Sequence, residues 1–147
     1  MIEAGAPAPD FESLDSRGEK FRLSSLRGKK VVLYFFPKAF TTGCTIETKG
    51  FGEISPALAE RGVHVVGVSV DEPATEAKFA AKCGVTFPIV GDPDKSIAKA
   101  YGVLSFIGIT KRVTFFIDES GVIRDVVSGL MPGPHVDRAK TSFLAPG

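Results

Sequence analysis

The chain predicts an α/β fold: a central mixed β-sheet flanked by helices, with an N-terminal β-hairpin. Three observations carry this. Val31–Phe36 and Val63–Val70 are continuous β-branched and aromatic runs, as expected of strands buried on both faces. The segment between them repeats apolar residues at roughly helical spacing, and a strand–helix–strand unit calls for a parallel pair. Near the C-terminus, Val113–Ile117 and Val122–Val127 flank Asp118-Glu119-Ser120-Gly121, a hairpin signal that adds antiparallel strands.

In chain order, Phe11–Asp15 and Lys20–Leu23 alternate in character around Ser16-Arg17-Gly18-Glu19, which reads as the N-terminal hairpin. Ser24–Lys29 is a short turn closing at Gly28. After the first buried strand, Ile46, Phe51, Ile54 and Leu58 mark a helix over Cys44–Arg61, with Gly62 as its C-cap. A second helix spans Pro73–Cys83, opened by proline and closed by Gly84. A third, short helix is expected over Asp92–Tyr101, again opened by Asp-Pro. From Met131 to Gly147 proline and glycine punctuate the chain, leaving room for a short helix over Val136–Phe143. This order of elements is a thioredoxin-like plan.

The 147 residues fit a single domain, 1–147, large enough for a real core. With 18 basic against 17 acidic residues, nothing suggests a nucleic-acid surface or a polybasic membrane patch. The N-terminus MIEAGAPAPDFESL lacks the basic and apolar regions of a signal peptide, and no apolar run could span a bilayer. Two widely spaced cysteines do not make the framework of a small secreted domain, so a cytoplasmic protein is expected, in which a disulfide would be catalytic or transient.

Chemistry concentrates in 34-YFFPKAFTTGCTIETKGFGEI-54. A thiol attacks as thiolate, so a reactive cysteine needs its negative charge stabilised. Cys44 follows a buried strand and a Thr/Gly turn and opens a helix, whose unpaired N–H groups and dipole do this. It also lies at the carboxyl end of a sheet strand, where ligands tend to bind. Cysteine is equally common as a small core residue, and position alone leaves both readings open.

Pro37, Thr41 and Cys44 in 37-PKAFTTGC-44 match the Pro-x-x-x-Thr-x-x-Cys signature of peroxiredoxins, and Glu47 also fits. APAPDF, LRGKKVVLYFFPK, VVGVSVD, FPIVGDPD, AYGV and RVTFFIDESGVIR agree and cover nearly the whole chain. The sequence therefore resembles the bacterioferritin comigratory protein, or peroxiredoxin Q, branch. The resemblance implies reduction of hydrogen peroxide and small organic hydroperoxides. Cys44 would be the peroxidatic thiolate, becoming a sulfenic acid. Thr41 would bond thiolate and peroxide through its hydroxyl, Pro37 would shield the site, and Arg112 would hold both partners by charge-assisted bonds. The Cys44 N–H would add an oxyanion-hole donor. Without the resemblance, Arg112 reads as a surface arginine and Glu47 as a carboxylate favouring a helix N-terminus. The reductant implied is thioredoxin or another thiol, the oligomeric state a monomer or weak homodimer, and no cofactor or metal is expected.

Two features depart from the pattern. The position five after Cys44, a resolving cysteine in many members, is Lys49, and the proline common before Gly-Cys is Thr42. Another variant places the resolving cysteine near Ala80, so Cys83 matches neither site. A disulfide needs Cα atoms within about 7 Å. A helix from Pro73 would carry Cys83 about 16 Å from its start, away from the strand ends that bear Cys44. Yet Gly50, Gly52 and Pro56 weaken the first helix, so a sulfenic acid at Cys44 could swing out as that helix unwinds. Resolution by Cys83 is preferred here to resolution by an external thiol alone.

His64 and His135 read as solvated, and the phenylalanines as core, except that Phe40 and Phe106-Ile107 are candidates for lining the peroxide site. Neither cysteine has a partner at metal-ligand spacing. Two rivals share the scaffold. A thioredoxin-type disulfide oxidoreductase would want Cys-x-x-Cys, where Glu47 stands; a non-catalytic binding or holdase protein would need neither Thr41 nor Arg112.

Overall fold

In the computed structural model, which describes residues 1–144, strands β1 (Glu12–Leu14) and β2 (Lys20–Arg22) form an antiparallel two-stranded sheet. A 3-10 turn over Leu23–Leu26 leads to β3 (Lys30–Phe35), α1 (Thr42–Glu60) and β4 (Val63–Ser69). Then follow α2 (Pro73–Cys83), β5 (Ile89–Gly91), α3 (Ser96–Tyr101), β6 (Val113–Ile117), β7 (Ile123–Ser128) and α4 (Gly133–Phe143). The main sheet has the order β5-β4-β3-β6-β7. β3 pairs parallel to β4 and antiparallel to β6, so the predicted mixed sheet turns on β3.

The run VVLYFF is buried throughout because β3 is the central strand and both faces are covered. Alternation sorts its side chains: Val32, Tyr34 and Phe36 pack with α1, α2 and α4, while Val31, Leu33 and Phe35 pack with α3 and the N-terminal segment. Tyr34 stacks on Phe36 and Phe51, and its hydroxyl lies 2.9 Å from Thr48 Oγ1. Gly67 faces Tyr34 across the β3–β4 register, and a Cβ there would meet the Tyr34 ring at 2.8 Å.

Strand β5 was not predicted. Three residues flanked by Pro88 and Asp92 carry too little periodicity to announce a strand, and pairing with β4 creates it. The third helix is shorter than expected because Asp92 caps it from outside, accepting from the amides of Ile97 and Ala98. Helix α1 is capped by Arg61, with Gly62 beyond it at φ +73°. Helix α4 begins earlier than Val136, and the tail beyond Leu144 lies outside the described residues. Gly50 and Gly52, predicted to weaken α1, also have a packing role. A Cβ at Gly50 would meet Val136 of α4 at 3.0 Å, and one at Gly52 would meet Val85 at 2.6 Å.

Candidate active site

Strand β3 ends at Phe35, and Pro37 turns the chain into a loop that reaches α1 at Thr42. Phe40 in this loop takes a left-handed conformation, φ +68°, uncommon for a non-glycine and a mark of local strain. The first helical acceptor is the Thr41 carbonyl, reached by the Thr45 N–H at 2.9 Å. The amides of Thr42, Gly43 and Cys44 therefore precede the helical ladder, and Cys44 sits in the first turn with its side chain fully buried.

Arg112 reaches this turn from the residue before β6. Antiparallel pairing sets Val113 opposite Phe35, which carries residue 112 past the strand end beside the loop. Arg112 is 6% exposed and uses all three faces of its guanidinium. Nη2 donates to Cys44 Sγ at 3.5 Å, Nη1 to Glu47 Oε1 at 2.6 Å, and Nε to the Leu130 carbonyl at 2.8 Å. The surface-arginine reading from sequence alone is thereby overturned: burial in a fork of acceptors replaces solvation. Gly43 makes the approach possible, since a Cβ there would lie 2.9 Å from Arg112 Nη2. Burial works against the Arg112 charge, but Glu47 and Cys44 outweigh it and hold its pKa above the ordinary arginine value.

Glu47 shares the face of α1 with Cys44 and is fully buried. Burial pushes its pKa up to about 7 despite the pull of Arg112. Its second oxygen, Oε2, has no hydrogen-bond partner and lies 3.8 Å from His135 Nδ1. His135, expected to be solvated, is fully buried on α4 because that helix folds back on β7 and α1. Its Nε2 faces the Gly129 carbonyl at 2.9 Å and must donate, so in the neutral ring Nδ1 accepts from the Thr114 hydroxyl at 2.7 Å. Burial lowers the His135 pKa and favours that neutral form. Only the pairing of α4 with the sheet reveals this residue; its local sequence carries no signal. His64, also expected to be solvated, is half-buried within β4.

The remaining predicted residues divide. Pro37, Arg112, Ile107, Ile109, Thr110 and Leu130 line a cleft of about 340 Å³ over this site. Phe106 is fully exposed outside it, and the Phe40 ring turns away to pack on Phe79 of α2. Thr41 is exposed and donates its hydroxyl to the Lys38 carbonyl at 2.8 Å, with no hydrogen bond to Cys44 Sγ. Cys83, at the end of α2, is a free thiol partly buried against the core that includes Cys44. Its pKa is raised by burial, against the charges of Lys49 and Lys82. Lys49, the residue five after Cys44, stands on α1. Among the described residues no His, Cys, Asp and Glu cluster could hold a metal ion.

Residues 4–126 match the AhpC/TSA family. The putative peroxiredoxin bcp of Coxiella burnetii is 38% identical over 143 residues, covering 92% of this chain and 94% of its own. Peroxiredoxin Bcp of Escherichia coli is 35% identical over 143 residues, covering 92% of each chain. Among solved structures, peroxidoxin BcpB from Mycobacterium tuberculosis superimposes with a TM-score of 0.89 at 34% identity, covering 97% of this chain and 96% of its own. The bacterioferritin comigratory protein of Xanthomonas campestris, described with alkyl peroxide reduction activity, gives 0.87 at 26% identity, covering 95% and 96%.

Proposed function

The chain belongs to the AhpC/TSA family and is a thiol-dependent peroxidase, and we propose that Cys44 is its peroxidatic nucleophile. The observation that carries this is the Arg112 fork, which joins the Cys44 sulfur to a buried carboxylate in one charge-assisted network. The substrates proposed are hydrogen peroxide and small organic hydroperoxides, admitted through the cleft above Arg112.

The Cys44 thiolate attacks the terminal oxygen of the hydroperoxide. An S–O bond forms, the O–O bond breaks, and the leaving alkoxide or hydroxide takes a proton from water to depart as alcohol or water. Arg112 Nη2 donates to the sulfur and, with the Cys44 amide left outside the helical ladder, stabilises negative charge as it moves onto oxygen. Pro37 walls the cleft, and Thr41, whose hydroxyl now donates to Lys38, keeps lone pairs free to accept from a bound hydroperoxide.

Resolution follows by attack of the Cys83 thiolate on the Cys44 sulfenic sulfur, which releases hydroxide, protonated to water, and forms a disulfide. The packing of Cys83 against the core cluster that contains Cys44, and of α2 against α1, supports this reading, provided that the first turns of α1 unwind. Thioredoxin or another thiol then reduces the disulfide in the cytoplasm, where thiols are kept reduced. We further take the protein to be a single domain acting as a monomer or weak homodimer. No helix is long and apolar enough to cross a membrane among the described residues.

Peroxide consumption by the wild type, with Cys44→Ser inactive, tests the assignment, and full turnover by that variant would sink it. Disulfide mapping after one equivalent of peroxide tests the resolving step. A Cys44–Cys83 bond is expected, and a persistent sulfenic acid would remove Cys83 from the cycle.

A further inference from the structure

A second buried network lies outside the Cys44–Arg112–Glu47 site and touches the peroxide loop from the other side. Glu76, in the first turn of α2, is fully buried and has no cationic partner among the described residues. Its Oε2 lies 3.0 Å from the hydroxyl of Ser69 at the end of β4. The same hydroxyl lies 2.7 Å from Asp71 Oδ2 and accepts from the Asp71 amide at 3.3 Å. Asp71 Oδ2 in turn accepts from the Ala39 amide at 2.8 Å, inside the loop between Pro37 and Cys44.

The protons in this chain can be counted. A serine hydroxyl has one hydrogen and two lone pairs. The two short contacts of Ser69 Oγ are both to carboxyl oxygens, which as anions only accept. If Ser69 donates to one, the other faces it lone pair to lone pair unless that carboxyl carries a proton. Asp71 is only half-buried and already accepts a backbone N–H, whereas Glu76 is fully buried without a cation. The proton therefore belongs on Glu76. Its Oε2–H donates to Ser69, Ser69 donates to Asp71, and Asp71 holds Ala39. Glu76 Oε1, without a partner, is then a neutral carbonyl oxygen, far cheaper to leave bare than a charged one. Among the described residues, the titratable groups coupled to Glu76 through their charge are Asp71, from the β4–α2 turn, and Tyr34, from β3. Neither supplies positive charge, and burial followed by the Asp71 charge raises the Glu76 pKa to about 9.

We propose that Glu76, in its neutral form, and Ser69 are positioning residues that clamp the peroxide loop to α2 through Asp71 and Ala39. The clamp has a reason to exist: Phe40, next to Ala39, holds a left-handed backbone that persists only where its surroundings fix it. A parallel contact reinforces it, the Phe40 ring packing edge-on to Phe79 with the Lys82 ammonium over its face. Ionising Glu76 turns its donor into an acceptor, breaks the relay at Ser69 and frees the loop from the helix that ends in Cys83. The proposal rests on the assignment of Cys44 as peroxidatic for its consequence, but the clamp itself is read independently of activity.

The test is the NMR protection factor of the Ala39 amide against pH, alongside the rate of Cys44 oxidation by hydrogen peroxide. In the wild type, loop opening should rise by up to about tenfold per pH unit as pH climbs toward about 9, the slope of a single linked proton, and level off above it. Cys44 oxidation should fall over the same range. Glu76→Gln, whose amide donates to Ser69 at every pH, should keep Ala39 protected and show no such limb. Ser69→Ala should lower Ala39 protection at neutral pH as well. A Glu76→Gln variant that opens with the wild-type pH dependence, or a wild type whose Ala39 protection ignores pH, overturns the proposal. If Ser69→Ala fails to fold, the Glu76→Gln comparison decides alone. Should Cys44 prove unreactive, the exchange data still judge the clamp.

Discussion

Replacing Arg112 by alanine removes three hydrogen bonds at once, but only one of them faces the reacting atom. Two unit charges about 4 Å apart attract by about 4 kcal/mol at the effective dielectric of a partly buried site. Here the carboxylate of Glu47, 2.6 Å from the same guanidinium, cancels part of that field, and sulfur at 3.5 Å is a long acceptor. The Nη2–Sγ contact is therefore placed within the range of a charged hydrogen bond, about 1.5–3 kcal/mol. Arg112→Ala should slow Cys44 oxidation about 10- to 150-fold. Stability should suffer less than the 3–5 kcal/mol typical of a broken buried pair, because Glu47 is poised near pH 7 and can take a proton instead. Arg112→Lys should recover part of the rate, since a single ammonium cannot serve Cys44, Glu47 and Leu130 together. Stopped-flow measurement of Cys44 oxidation, with circular dichroism to verify folding, provides the assay. A folded Arg112→Ala protein that reacts within twofold of wild type would show that the guanidinium does not activate Cys44.

Gly43→Ala should act on the same contact indirectly, its methyl displacing Arg112 Nη2, and should slow oxidation in the same direction but by less than Arg112→Ala; equal rates in stopped flow would show that the guanidinium can yield freely. Cys83→Ser should abolish any intramolecular disulfide while leaving the first oxidation of Cys44 intact, as separated by single-turnover kinetics and mass spectrometry. His135→Ala strands the Thr114 hydroxyl and the Gly129 carbonyl and should cost about 2–5 kcal/mol in urea unfolding, with the cavity included. Stability should fall as pH rises from about 6.5 to 9. Glu47 and Glu76 have folded pKa values of about 7 and about 9, above their usual 4.5, so their contribution is complete below 4.5 and disappears as pH passes through the folded values. His135, whose pKa is lowered by burial from 6.5, opposes this only below about 6.5. Denaturant unfolding at a series of pH values reads the slope, about 1.4 kcal/mol per unit for each titrating group, and Glu76→Gln should flatten its upper part.

What was legible in the chain was what short-range chemistry specifies. VVLYFF announces a central strand because β-branched and aromatic residues fit a pleated surface covered on both sides. Pro73 and Gly84 bound α2 because one ring suits a first turn and the other residue takes the left-handed cap. Cys44 was placed at a helix start by the same local logic, and the resemblance named its partners. Strand β5, the burial of His135 and the neutral Glu76 were not legible, since each depends on what another segment brings.

Short-range chemistry thus accounts for the order of elements, the strand that organises the sheet and the position of the thiol on a helix start. That Arg112, 68 residues away, bonds that thiol follows from the assembled fold, because the β3–β6 register sets Val113 against Phe35. The fold alone turned Gly43 from a turn residue into the space that admits the guanidinium. It also decided that two glutamates ordinary in sequence are buried deeply enough to hold protons near and above neutrality. Local propensity acts over a few residues, whereas desolvation and charge pairing are set by whatever the whole fold packs against a side chain.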